Sequence, residues 1–210
     1  MDSRWRNLGV LLVLIVVIGI AWALFSTGTF FGGPIVSEVT SFESGAASLQ
    51  SLLAGMPVFD IQNGSFQTTN ASGLQAAQIQ LQDFQSQIEA KDSFEGKEAV
   101  LALTLVWLAR ADLAIAWNQL QFKNQAASFS GTESDEVVCS QRSFFVSLQE
   151  PLINAQNALT AVEQAHNSFA ANFPSQANQI GFEETIDLSE GIAGLQNQLA
   201  SVNEILGDCS

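Results

Sequence analysis

The chain has 210 residues, enough for one domain and an added segment, and it carries 21 acidic against 7 basic side chains, a formal charge of −14. From Ser37 onward five bases face twenty acids, which argues against nucleic acid, since that binding rests on clustered Lys and Arg meeting phosphates. Hydrophobic residues make up 47%, so the chain can bury a core and does not read as a disordered polar tail.

Residues 8–25 contain no charge, and at helical rise they span about 27 Å, close to the hydrocarbon thickness of a bilayer. Trp5 and Trp22 bracket this run as interfacial aromatics would. Arg4 and Arg6 precede it and no base follows until Lys91, so the positive-inside bias predicts a cytoplasmic N-terminus and an exported remainder. Ala21-Trp22-Ala23 has the local form of a signal-peptidase site, but the apolar run exceeds the usual signal core of ~7–15 residues. Retention as an anchor is the expectation. It divides the chain into a cytoplasmic stub with the anchor (1–27), a Gly/Pro hinge (28–36) and an extracytoplasmic bundle (37–210). The cell membrane is the expected location, with lipid contacted through 8–25.

Past Gly32-Gly33-Pro34 apolar residues recur at helical spacing in five successive segments. The first, about 35–54, uses Val39, Phe42, Ala46 and Leu49 and stops at Gly55. A polar stretch follows, with two glycosylation sequons at Asn63 and Asn70. The second, about 73–90, repeats Leu74, Ala77, Leu81, Phe84 and Ile88, and Ser72 to Gln75 has the form of a capping box. The third, about 95–123, follows the cap-like Asp92 to Glu95 and is apolar nearly all round. Arg110 and Asp112 would cost about 5–7 kcal/mol at a bilayer centre, so it is expected to be the central helix of the bundle and not a second span.

The fourth helix, within about 141–173, runs from Phe145 through Val162 and His166 to Phe173, and Pro151 is expected to kink it or mark its start. A fifth, about 184–206, carries Leu188 to Leu206 and ends at Gly207. Strand-like alternation of comparable length is missing, so the expected fold is an all-α antiparallel bundle of about five helices behind one N-terminal transmembrane helix. Up-down order brings Cys139, before the fourth helix, next to Cys209, after the fifth. A disulfide there would stabilise by about 4 kcal/mol through loop closure and requires an oxidising compartment.

No complete catalytic set emerges. His166 is the only histidine, and its Glu163-x-x-His166 element lacks the second copy that a di-iron bundle needs. Met56 falls too far from His166 in the up-down order to share a haem. No G-x-S-x-G elbow, Gly-rich phosphate loop or EF-hand spacing occurs. Glu133, Asp135 and Glu136, and likewise Glu183 and Glu184, read as solvated loop acids. The remaining candidate is the stripe of Trp107, Arg110 and Trp117, which has hot-spot composition if exposed and is ordinary core packing, with Arg110 over Trp107, if covered.

The sequence therefore predicts a non-enzymatic chain without cofactor, catalytic or metal site. Its expected role is that of an accessory or structural subunit held to other proteins of a membrane or cell-surface assembly by helix–helix contacts. Alternatives are a pilin-like filament subunit, disfavoured because 8–25 holds no acid, and an extracytoplasmic ligand-binding or sensor domain. Any small-molecule ligand is left open.

Overall fold

The computed structural model describes residues 36–54, 71–125 and 139–209, together with the backbone of 59–60 and 65–66. Among the described residues the fold is all-α apart from one antiparallel β pair, β1 (Phe59–Asp60) with β2 (Ser65–Phe66). A 3-10 turn, Val36–Glu38, leads into α1 (Phe42–Leu53), α2 (Ala71–Ala90), α3 (Lys97–Gln125), α4 (Arg142–Asn172), α5 (Pro174–Gln179) and α6 (Ser189–Asp208). The expected anchor, with Trp5 and Trp22, and the sequons at Asn63 and Asn70 lie outside the described residues, as do Met56 and the acids of 133–136.

The helices run up and down. Across α4 and α6, Gln149 bonds Asn203 at 2.7 Å, Leu159 abuts Gly191, and Glu163 accepts from the Leu188 amide. One chain position rises as the other falls, so the pair is antiparallel, and Cys139 reaches Cys209 with Cα atoms 5.2 Å apart in the disulfide that the order required. The α1 helix instead runs parallel to α3, with Phe42 beside Gly96 and Gly45 beside Val100. At the end where the chain enters, Lys91 Nζ donates to the Val36 carbonyl at 2.6 Å, and Lys97 Nζ donates to the Glu89 and Lys91 carbonyls.

Around α3 the core divides in two. One cluster joins Phe42 and Leu49 of α1, Leu81, Phe84 and Ile88 of α2, and Phe169 of α4 to the first half of α3. The other joins Leu113 and Leu120 of α3 to Leu148, Leu152 and Val162 of α4 and Leu195 and Val202 of α6. Among the described residues one helix, Lys97–Gln121, is long and apolar enough to cross a membrane, and half of its apolar window is buried in the bundle. Its neighbours α1, α2 and α4 cover it on three sides, as expected of a helix that is apolar all round.

Several boundaries differ from the pattern. The first helix begins at Phe42 and not near 35, because Ser41 and Ser44 form a reciprocal capping box that stops the chain short. Ser72 lies inside α2, which starts at Ala71. Asp92 does not cap α3; Gly96, at φ 81°, turns the chain immediately before Lys97. Pro151 is neither the start of α4 nor a break, since the helix runs through it from Arg142 to Asn172 and buries its ring. Residues 184–188 are not helical; they form a loop ahead of α6.

Candidate functional site

Two features stand out on this frame, a groove on one side of α3 and a cluster around Arg110 on another. In the groove α3 is the floor and α2 and α4 are the walls. The floor presents Ala102, Leu105, Ala109, Asp112, Ala116 and Gln119, a strict three-four spacing that keeps one face of a helix aligned for about 25 Å. Gln75, Gln78, Gln82 and Gln85 line it from α2, and α4 adds a similar row from Asn154 to Asn172. The two successive hollows hold about 410 and 600 Å³, and Leu105 is 49% exposed on the floor.

At mid-groove Gln78 Nε2 donates to Asp112 Oδ1 at 2.6 Å. Loss of solvent raises the Asp112 pKa, and the bond from Gln78 partly opposes that rise. Small side chains on the floor let a further backbone approach closely, and the amide rows offer donors and acceptors to it. Sequence reasoning missed this site. The signal was present as heptad spacing of Gln on α2 and of Ala on α3, but Gln reads as solvated surface until two walls converge.

The stripe of Trp107, Arg110 and Trp117 has a different fate. Arg110 lies 4.6 Å from the Trp107 ring and 4.8 Å from that of Phe182, which the α5–α6 loop brings in. Trp117 packs half-buried against the second core cluster. All three side chains are half-buried, with Arg110 close to both the Trp107 and Phe182 rings. Arg110 Nε is buried without a hydrogen-bond partner, and burial lowers its pKa to about 10 with no carboxylate to offset the shift.

Phe182 also stacks on His166 at 5.0 Å and meets Phe169 edge-on. His166 is 4% exposed. Its Nε2 lies 2.9 Å from the Glu184 carbonyl oxygen, which only accepts, so Nε2 carries the hydrogen and Nδ1 is bare; Nδ1 is buried without a partner. Burial, chiefly, lowers the His166 pKa; the Glu184 bond raises it and the Arg110 charge lowers it further.

Between α1, α3 and this loop lies a cavity of about 740 Å³, walled by Phe42, Leu49, Leu103, Trp107, Ile180 and Phe182. That volume is within the ~300–1,000 Å³ common for small-molecule sites, and Glu43, Gln50 and Gln179 supply its polar groups. Among the described residues no three His, Cys, Asp or Glu side chains gather as metal ligands would. No known protein family, curated protein or solved structure matches this chain.

Proposed function

We propose that the protein is a non-catalytic accessory subunit, anchored in the cell membrane by residues 8–25 and carrying its bundle on the extracytoplasmic side. There it holds other subunits through helix–helix contacts. The observation that carries this reading is the groove: three helices turn heptad-spaced faces toward one trough, the geometry that a bundle offers to one more helix. The disulfide supports export, because such bonds persist in oxidising compartments.

The test is purification of the full chain from its native membrane in mild detergent, followed by mass spectrometry. Stable subunits that are retained by the native chain and lost from Leu105→Glu and Ala109→Glu are the expected result. Recovery as a monomer or as a pure homopolymer would sink the reading. A second reading, an extracytoplasmic ligand-binding domain, is favoured by one observation, the cavity beside Trp107, and a small molecule retained in the native mass spectrum would support it.

A further inference from the structure

Residues 181–188 cross the bundle between α5 and α6 as a strap: the Gly181 and Phe182 amides donate to the Asn178 and Ala177 carbonyls of α5, the Phe182 ring meets Trp107 and Arg110 of α3, and the rest is held from one stretch of α4. Asn167 clasps Ile186 twice, donating from Nδ2 to its carbonyl and accepting from its amide, both at 2.9 Å. The Leu188 amide reaches Glu163 Oε1 at 3.4 Å, and His166 bonds the Glu184 carbonyl. Among the described residues no backbone–backbone hydrogen bond outside helices and strands involves 183–187. At the strap's start Gly181 sits at φ 72°, a conformation that glycine adopts without strain. Phe182 then forms part of the wall of the 740 Å³ cavity.

We propose that this strap is a proton-operated gate, with His166 as the trigger, and that acidification releases residues 183–188 from α4 and widens the cavity, already open to solvent, at its Phe182 wall. The proton comes from solvent and adds to Nδ1, the bare nitrogen. In the closed strap that creates a cationic N–H at a buried atom with no acceptor, on the ring stacked against Phe182, whose ring Arg110 also contacts. The charged groups of the strap and the elements it meets are Arg110 on α3, Glu163 on α4, Glu183, Glu184 and Asp187 in the strap itself, and Glu43 on the α1 wall of the cavity. Arg110 is the one whose charge acts on the imidazole, so the local field opposes the new cation.

The sign follows from linkage. Closed, the imidazole binds a proton less readily than at its ordinary value near 6.5; open, it returns toward that value. The closed strap is therefore favoured above about pH 6.5, and its advantage drains away as pH falls from there through the lowered pKa. Opening exposes Nδ1 to water and lets solvent screen the Arg110 charge, so the protonated chain gains by it.

Hydrogen exchange of the full chain in detergent tests this through the Ile186 and Leu188 amides, normalised to unfolded-peptide rates. From about pH 7.5 to about pH 5 their exchange should rise at least about tenfold, while α6 amides near Val202 hold steady. In His166→Gln, which keeps a donor for Glu184 but does not titrate, the rise should vanish. A rise that persists in His166→Gln would assign the effect to the carboxylates and overturn the proposal, as would equal exchange at the two pH values in the native chain. A second measurement needs no folding of that variant. As the single histidine, His166 can be titrated directly by nuclear magnetic resonance. Its inflection should fall below 6.5 and move upward in Arg110→Met, with a smaller exchange response; an inflection at or above the ordinary value defeats the proposal.

Discussion

At the entry end of the bundle, Phe42, Phe84 and Phe169 fill the space between α1, α2, α3 and α4, and Phe94, Trp107, Phe173 and Phe182 crowd around them. At the other end Leu and Ala predominate, from Leu113 and Leu120 to Leu148, Ala155 and Leu195, and Cys139–Cys209 closes the pair α4 and α6. Large rings concentrate buried area in a few side chains, so the entry end depends on each of them. Small side chains spread the burial thinly, and the covalent link restricts the unfolded chain there. The Arg110, His166 and Phe182 cluster lies between the two, where α1 has ended on one side and α6 has not yet begun on the other.

If that contrast is right, the largest single loss should come from an entry-end ring. Phe84 is fully buried, and Phe84→Ala should cost about 3–5 kcal/mol in urea unfolding of the full chain; a loss under about 1 kcal/mol would break the comparison. Next, replacing Cys139 and Cys209 together with Ser opens a loop of 70 residues, at a cost of about 4 kcal/mol in the loop-entropy model. Exchange should then quicken in α4 and α6, whereas the α1 and α2 amides near Leu49 and Phe84 should keep more of their protection.

A smaller loss is expected at Gly96, where φ is 81° and an added Cβ would stand 2.7 Å from Phe42 Cβ. Gly96→Ala should cost about 1–3 kcal/mol by strain and overpacking, read as a lowered melting temperature, and it should be felt first at the α1–α3 contact. Smallest should be Asn167→Ala. It strips both partners from Ile186, at a cost of about 1 kcal/mol to closure of the strap only, and exchange should quicken in the strap alone. Global loss from this variant would mean that the strap is integral to the core and not a separate cover.

Helix type, and five of the six helices among the described residues, were legible because burial at three-four spacing leaves a mark on each long segment: Leu74, Leu81 and Ile88 on α2, Leu148, Leu152 and Val162 on α4; the short α5 was not expected. Helix starts were misplaced: the Ser41 and Ser44 box, which the periodic pattern did not reveal, starts α1 at Phe42, and Asp92 lost to Gly96, whose positive φ turns the chain immediately before α3. Pro151 does not start α4, one of the two outcomes expected of it. Its ring is buried within α4, whose packing on α3 and α6 holds the helix through the one missing amide.

By itself the sequence determined a run of helices, the apolar centre at α3, and the neighbourhood of the two cysteines, since up-down order follows from helix number and connection length. Only tertiary structure decided that Phe182, far along the chain from both, would bring its ring onto Trp107 and Arg110. It alone turned the Gln rows of α2 into a wall of a groove. Periodicity records which face of a helix avoids water. Which loop or helix covers that face depends on distances through space, and no local pattern encodes those.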